Sequence, residues 1–218
     1  NQRIITSVVL ILILLVSLLF NKYIWLFTLI LLSLILFIEF NSLAKIIWKK
    51  KKITLVSANV FSLLFLLILI YVTYDIYNKL PIALLFIILI CVFSDTGGYV
   101  IGNLFGGRKL TKISPNKTIS GSIGSFIFSL FPTIVLIAYL NNNNELNYNN
   151  YNYINIILVT FFLSLICQLG DLFISYFKRK AKVDDTGSIL PGHGGLLDRI
   201  DGVIFVIPAA YLIDKIFF

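Results

Sequence analysis

Apolar segments long enough to cross a lipid bilayer recur along almost the whole of this sequence. The hydrocarbon core of a bilayer is about 30 Å thick, and a helix of roughly 20 apolar residues crosses it. Seven runs approach or exceed that length: Ile4–Phe20, Tyr23–Phe40, Ile53–Tyr74, Leu80–Ile101, Ile123–Leu140, Ile154–Phe177 and Ile200–Phe218. None of them alternates apolar with polar residues, as the strands of a membrane barrel do. We therefore predict an all-α, polytopic membrane helix bundle with about seven transmembrane helices, forming one membrane-embedded domain over residues 1–218.

The composition supports the class of membrane proteins and limits the kinds of partner that the protein is expected to bind. Of the 218 residues, 59% are hydrophobic and 13% are charged, against about 45–50% and about 25% in soluble domains. The net charge of +8 favours a membrane surface or an anionic substrate over nucleic acid, because the bases do not cover a soluble face. Cys91 and Cys167 lie in separate apolar runs, which indicates neither a disulfide framework nor a zinc site.

The basic residues are distributed unevenly between the two sets of connecting segments. Fifteen lie in one set, at Arg3 and in 45–52, 108–117 and 178–199, and three lie in the other, at Lys22, Lys79 and Lys215. Because lysine and arginine favour the cytoplasmic side, we expect a cytoplasmic N-terminus and an external, low-complexity loop over Asn141–Tyr153. The first run lacks a small-residue cleavage site, so we expect a mature helix rather than a signal peptide. The chain has no methionine, so we expect its natural first residue to precede Asn1.

The first candidate site segment covers residues 94–121, which we predict to be a loop. It contains the acid Asp95 together with glycines and bases, and near its end it has the sequence Ser114-Pro115-Asn116-Lys117-Thr118. Glycines let a backbone approach a ligand closely, and bases supply charge for phosphate, although a turn-rich connector has the same composition. A carboxylate deep in a membrane costs roughly 2.5–3.5 kcal/mol. Asp95 therefore needs a metal, a basic partner, a water-filled cavity or a place at the interface.

The second candidate segment covers residues 170–202. Asp171, Ser175, Lys178 and Arg179 have a spacing that puts all four on one helical face. An acid, a hydroxyl and two cations there could hold a metal and a phosphorylated ligand, whereas Lys178 and Arg179 alone are also explained by snorkelling to the interface.

The same segment continues into a glycine-rich stretch and a helix start. Asp198 and Asp201 are three residues apart, so they share a helical face, where acids also act as ordinary dipole partners. His193 is the only histidine of the chain. It lies between Gly192 and Gly194, and both a substrate contact and a structural role are open for it.

These motifs, taken in order, resemble the signature of the phosphatidate cytidylyltransferases, also called CDP-diacylglycerol synthases. The residues that carry the resemblance are Ser175-x-Phe177-Lys178-Arg179, Asp185-x-Gly187, Leu190-Pro191-Gly192-His193-Gly194-Gly195 and Leu197-Asp198-Arg199-Ile200-Asp201. Upstream, Asp95-Thr96-Gly97, Ser114-Pro115-Asn116-Lys117-Thr118 and Gln2-Arg3-Ile4-Ile5-Thr6 are similar to further regions of that family.

The resemblance implies transfer of a cytidylyl group from CTP to phosphatidic acid, a membrane lipid, in the inner membrane of a bacterium. It implies a Mg²⁺ ion bound by Asp171 and Asp198, and it leaves open a second, monovalent cation and a homodimer. The implied catalytic residues are Asp171, Asp198, Lys178, Arg179 and Asp201. The implied substrate or nucleotide contacts are Asp95, Ser114, Lys117, Ser175, His193, Gly194, Gly195 and Arg199.

The sequence departs from the family pattern at two places. Asp184 stands where the family usually has lysine, and Ile119-Ser120 stands where it usually has Trp-Glu. Two other functions fit the same residues. A CTP-dependent kinase of a polyprenol-type lipid also needs a metal and CTP, and a transporter could use Asp95 and Asp171 as pathway carboxylates.

Overall fold

The part of the chain that the structure describes folds into helices joined by turns and loops. The computed structural model describes residues 2–142, 153–190, 192 and 194–217. The helices in chain order are α1 (Gln2–Phe20), α2 (Lys22–Ile47), α3 (Lys52–Lys79), α4 (Pro81–Phe105), α5 (Ile119–Asn142), α6 (Tyr153–Ala181), α7 (Leu197–Ile200) and α8 (Val203–Phe217). Over these ranges, β pairing is limited to the isolated bridges Lys109–Thr118 and Leu190–Gly194. The predicted all-α class is confirmed.

Local sequence signals explain several helix boundaries. Asn21 precedes α2 with extended backbone, and its side chain accepts a hydrogen bond from Tyr23 N, which satisfies one of the unpaired amides of the first turn. Pro81 begins α4, where its missing N–H costs nothing. Gly106 ends α4 with a φ of 57° and donates its N–H to Gly102 O at 3.0 Å, as glycine commonly does after a helix.

Within the described residues, five helices are long and apolar enough to cross a membrane, and the chain is an integral membrane protein. They are α2, α3, α4, residues Ile119–Tyr139 of α5, and α6. Large apolar side chains such as Leu34, Phe61 and Phe131 are 53–70% exposed along them. Exposed apolar surface of this extent suits contact with lipid and not with water.

The seven predicted spans are confirmed in five cases. α1 has 19 residues, but it is not among those five. The last predicted run is shortened, because α7 ends at Ile200 and the turn at Asp201 and Gly202 precedes α8. α8 has 15 residues and is therefore about 22 Å long, less than the thickness of the hydrocarbon core. Most of the predicted external loop, residues 143–152, lies outside the described residues.

The chain forms two compact units. Unit 1 comprises Asn1–Pro81 with Ile174–Asp201, and unit 2 comprises Ile82–Phe173 with Gly202–Phe218. The prediction of one domain over residues 1–218 stays a prediction.

Unit 1 is held together by aromatic contacts between its helices. The rings of Trp25 and Tyr77 stack with their centroids 5.6 Å apart, and the Tyr77 hydroxyl donates to Leu18 O at 3.1 Å. On α6, Phe177 packs edge-on against Phe40 at 5.7 Å. These contacts join α1, α2, α3 and the last turns of α6.

Unit 2 depends on close approach between α4 and α5. A Cβ built on Gly97 would lie 2.5 Å from Gly124 O, and one built on Gly121 would lie 2.7 Å from Gly98 O. Small residues allow membrane helices to approach in this way. Residues 94–105 belong to α4 and 119–121 to α5. The predicted loop over 94–121 is therefore corrected to 106–118, and its first residues belong to the helix that the run Leu80–Ile101 predicts. In the structure Gly97 and Gly98 serve helix packing.

Candidate functional site

A cavity of about 270 Å³ lies within unit 2. It is lined by residues of α4, α5, α6 and the loop over 106–118: Asp95, Gly98, Tyr99, Leu110, Ser114, Asn116, Lys117, Thr118, Gly121, Ser122, Ser125, Gln168 and Asp171. Pockets that bind drug-sized ligands have volumes of roughly 300–1,000 Å³. The cavity is therefore slightly smaller than that range.

The loop over 106–118 is folded back on itself, which fixes the lysine near its end. Leu110 N donates to Lys117 O at 2.8 Å, and Ile119 N donates to Arg108 O at 3.0 Å. The Ser120 hydroxyl donates to Gly106 O. Ser120 is one of the departures from the family pattern, and here it closes the base of the loop.

Charged groups of both signs meet at this cavity. Lys117 Nζ forms an ion pair with Asp171 Oδ2, and the two side chains are 28% and 26% exposed. Asp95 is an exposed residue of α4 that lines the same cavity, and the Cys167 thiol donates to its Oδ1 at 3.8 Å. The lining thus has two carboxylates and one ammonium group. The excess of negative charge favours a cationic ligand.

Gln168 adds a polar group that the sequence analysis missed. Its Oε1 accepts a hydrogen bond from the Ser122 hydroxyl at 2.5 Å. Its Nε2 is buried and has no hydrogen-bond partner among the described residues. Because buried donors are normally satisfied, this amide is an exception among the polar groups near the cavity. The only signal in the sequence was a polar residue within an apolar run.

The donor set of the cavity fits Mg²⁺. Within the described ranges no group of three or more His, Cys, Asp or Glu side chains could hold a metal. Mg²⁺ does not need such a group, because it usually binds through one or two carboxylates together with water and substrate phosphates. Asp95 and Asp171 supply two carboxylates on one cavity. Both offer the hard oxygen ligands that the ion prefers.

A second cluster lies within unit 1 around Asp198. Its Oδ1 accepts a hydrogen bond from Lys178 Nζ at 2.8 Å. Its Oδ2 is close to three donors, namely Thr186 N at 2.8 Å, Thr186 Oγ1 at 2.9 Å and Gly195 N at 3.1 Å. The side chain is 6% exposed. Asp198 therefore holds the segment over 186–195 to the end of α6.

These contacts also set the protonation of Asp198. Burial raises its pKa, but the hydrogen bonds from Lys178, Thr186 and Gly195 and the charge of Lys178 outweigh burial. The net result is a pKa below the ordinary value of an aspartate. Asp198 is therefore ionised at neutral pH, with both oxygens already engaged.

Further predicted site residues of unit 1 lie on α6 and in the segment that follows it. Ser175, Lys178 and Arg179 all lie on α6, as their spacing predicts. Arg179 Nη1 donates to Asp184 Oδ1 at 2.8 Å, in an ion pair whose side chains are 51% and 90% exposed. Gly194 has a φ of 81°, which favours glycine.

Two further predicted site residues of unit 1 lie on or directly after α7. Arg199 is exposed on α7, and Asp201 follows α7 as its C-cap and is 8% exposed. His193 lies outside the described residues. Asp171 belongs to unit 2 and Asp198 to unit 1, so the magnesium site that they were predicted to share stays a prediction.

Comparison with known proteins supplies the family. The model of the cytidylyltransferase family matches residues 63–217. This chain belongs to the cytidylyltransferase family. The match includes the cavity of unit 2 and the Asp198 cluster, which confirms the family that the motifs predicted.

Individual bacterial relatives are similar over a shorter stretch. A protein named phosphatidate cytidylyltransferase from Staphylococcus haemolyticus is 47% identical over 126 residues, which are 57% of this chain and 46% of the relative. Proteins of the same name from Staphylococcus epidermidis and Bacillus subtilis are 45% identical over 126 residues and 42% identical over 127 residues. In each case the match covers 57% of this chain, and it covers 46% and 44% of those relatives. The chain thus spans less than half the length of the relatives that it matches.

Proposed function

We propose that this chain transfers the cytidylyl group of CTP to phosphatidic acid, forming CDP-diacylglycerol and pyrophosphate, with Mg²⁺ as cofactor. The observation that carries the proposal is the cavity of unit 2, in which Lys117, Asp171 and Asp95 meet within a membrane protein of the cytidylyltransferase family. The names of the bacterial relatives support the same reaction.

The charges of the cavity suit this chemistry. A phosphate monoester that approaches a nucleoside triphosphate brings two anionic groups together. Catalysis therefore depends on neutralising charge and holding the groups in line. Lys117 offers an ammonium group to a phosphate. Asp95 and Asp171 are the residues that would hold Mg²⁺. When bound, that ion neutralises charge on phosphate oxygens.

The bond changes are those of a substitution at phosphorus. An oxygen of the phosphatidic acid phosphate forms a bond to the α-phosphorus of CTP. The bond from that phosphorus to the oxygen that bridges to the β-phosphate breaks, and pyrophosphate leaves with the electron pair. We assign Lys117, Lys178, Arg179 and Arg199 to phosphate contacts. Ser114, Ser175, His193, Gly194, Gly195 and Asp201 are assigned to nucleotide contacts or to their support.

A product assay tests the proposed reaction. Purified protein in lipid vesicles is supplied with labelled CTP, phosphatidic acid and increasing Mg²⁺. We expect CDP-diacylglycerol and pyrophosphate in equal amounts. CDP together with a phosphorylated polyprenol would instead establish the lipid kinase, and ion flux into sealed vesicles without consumption of CTP would establish the transporter.

We also propose that the N-terminus is cytoplasmic and that the membrane is the bacterial inner membrane. The fifteen bases on one set of segments support this orientation. A cysteine introduced at positions 141–144 should react with an impermeant thiol reagent added outside, and Ser188→Cys should not. Both native cysteines are buried, so they add little background. The reverse pattern of labelling would contradict the orientation.

A further inference from the structure

Glu39 carries a carboxylate into the apolar run of α2, and the structure buries it almost completely. The residue is 2% exposed. An acid within a membrane-spanning segment is costly unless other groups replace the water that it has lost. The groups that surround Glu39 therefore indicate its role.

Among the described residues, the hydrogen-bond donors to the Glu39 carboxylate belong to the segment over 186–197. Leu196 N donates to Oε1 at 2.8 Å, Leu197 N donates to Oε2 at 2.8 Å, and Thr186 Oγ1 lies 3.1 Å from Oε2. Within the described part of the chain, the ion pairs do not include Glu39. A carboxylate that is satisfied by backbone amides fixes the backbone that supplies them.

Two glycines of the same segment leave room for this carboxylate. A Cβ built on Gly195 would lie 2.6 Å from Glu39 Oε2, and one built on Gly187 would lie 3.0 Å from Oε1. Gly195 is one of the predicted nucleotide contacts, and in the structure its missing side chain is also required by Glu39. The segment is thus shaped around the acid.

Thr186 connects Glu39 to Asp198. Its hydroxyl oxygen lies 3.1 Å from Glu39 Oε2 and 2.9 Å from Asp198 Oδ2, and its amide donates to that same Asp198 oxygen at 2.8 Å. Because a hydroxyl has one proton, it donates to one of the two carboxylates at a time. A shift of Glu39 therefore moves Thr186, and with it two of the donors that hold Asp198.

We propose that Glu39 is a positioning residue for cytidylyl transfer. It holds the segment over 186–197 in place, so that Asp198 keeps Lys178 oriented toward a phosphate. The inference rests on the proposed function, in which Lys178 contacts phosphate. Glu39 precedes residue 63, where the family match begins, so the match assigns it no role.

Kinetics of Glu39 and Thr186 variants test the proposal. Glu39→Gln keeps the shape of the side chain, Thr186→Val removes the hydroxyl, and Thr186→Ser restores it. The matched control is Thr73→Val, because Thr73 is also buried in unit 1 at 1% exposure and its hydroxyl donates to Leu69 O of its own helix. A misplacement of about 1 Å can cost about 100-fold in rate.

We expect Glu39→Gln and Thr186→Val to lower kcat, per folded protein, by about 10-fold to 100-fold with little change in KM for CTP. Thr186→Ser should recover most of the rate, and Thr73→Val should keep it. An unchanged kcat in Glu39→Gln would overturn the inference, and so would an equal loss in Thr73→Val and Thr186→Val.

Amide hydrogen exchange separates this inference from the proposed reaction, because it needs no substrate. We expect the amides of Leu196 and Leu197 to exchange faster in Glu39→Gln than in the unsubstituted protein, and to be unaffected in Thr73→Val. If the unsubstituted protein makes no CDP-diacylglycerol but this exchange is faster, the proposed reaction fails and the positioning role stands. If that protein is active and neither exchange nor kcat changes in Glu39→Gln, the positioning role fails and the reaction stands.

Discussion

The Lys117–Asp171 pair of unit 2 and the Lys178–Asp198 pair of unit 1 differ in what surrounds the acid. In unit 2, Lys117 and Asp171 are 28% and 26% exposed, and they line a cavity that contains a second carboxylate. In unit 1, Lys178 and Asp198 are 15% and 6% exposed, and Asp198 also accepts hydrogen bonds from the backbone of Thr186 and Gly195.

This difference in surroundings predicts different roles for Asp171 and Asp198. A carboxylate whose oxygens are already engaged loses hydrogen bonds when a ligand approaches, and each buried donor left unpaired costs about 1–3 kcal/mol. Asp198 is in that position. Asp171, on a cavity with an excess of negative charge, can exchange its partner at lower cost. We therefore expect Asp171 to act on ligands and Asp198 to act on structure.

The largest expected effect is on turnover in Asp171→Asn. Removal of one electrostatic catalytic group commonly costs about 10²–10³ in rate, and the asparagine keeps the shape of the side chain. Formation of CDP-diacylglycerol, measured against Mg²⁺ concentration, should fall by at least that factor. The melting temperature in detergent should stay close to that of the unsubstituted protein.

The matched control for Asp171→Asn is Asp75→Asn. Asp75 forms an ion pair with Lys79 at 2.5 Å, and the lysine and aspartate side chains are 49% and 28% exposed. This pair lies on α3 and does not line the cavity of unit 2. Its loss should leave turnover unchanged. Near-normal turnover in Asp171→Asn would remove that residue from the catalytic set.

The second expected effect is on stability, in Asp198→Asn. Removal of one partner from a buried ion pair commonly costs about 3–5 kcal/mol, because the other charge stays buried. Since Lys178 is 15% exposed, we expect a loss near the lower end, about 3 kcal/mol. In a chain of this size that loss corresponds to a fall of roughly 6–12 °C in the melting temperature.

Thermal unfolding in detergent measures this loss, and turnover per folded protein gives the contrast with Asp171. If Asp198 is instead a Mg²⁺ ligand, as the resemblance implies, Asp198→Asn should stay as stable as the unsubstituted protein and lose turnover. That outcome would remove the distinction between the two acids.

The third prediction concerns pH. The hydrogen bonds and charge around Asp198 lower its pKa in the folded state, whereas an unfolded aspartate has a pKa of about 3.9. The unfolded state therefore binds the proton first, and the stabilisation by Asp198 is fully present above about pH 4. It is lost as pH falls through the lower folded pKa.

Unfolding of the unsubstituted protein and of Asp198→Asn between pH 7 and pH 3 tests the sign. The difference in unfolding free energy between the two proteins should be constant at neutral pH and should shrink below about pH 4. A difference that grows as pH falls would contradict the assigned pKa direction.

The helices were largely predictable from the sequence, because hydropathy is a local property. The bounds of the loop predicted over 94–121 were wrong. Gly97 and Gly98 favour a turn locally, whereas in the structure they allow α4 and α5 to approach closely. The role of Glu39 was hidden for a different reason. Its contacts to Thr186 and Leu197 join residues 147 and 158 positions apart, and no periodicity in one sequence encodes such a pairing.

The smallest expected effect is at Asp184, where the family pattern has lysine. Asp184 draws the guanidinium of Arg179 into an ion pair that is largely exposed, and pairs of this kind contribute about 0.2–1 kcal/mol. Asp184→Lys releases Arg179 for phosphate and adds a second cation. We expect the KM for CTP to fall by about 1.5-fold to 5-fold, which is the same energy expressed as an affinity. Asp184→Asn releases Arg179 without adding a cation. Its KM for CTP should therefore lie between the values of the unsubstituted protein and of Asp184→Lys. The effect should also weaken as salt rises, because exposed charges are screened. An unchanged or higher KM in Asp184→Lys would show that Arg179 does not contact the nucleotide, and the assigned phosphate contacts would then be Lys117, Lys178 and Arg199.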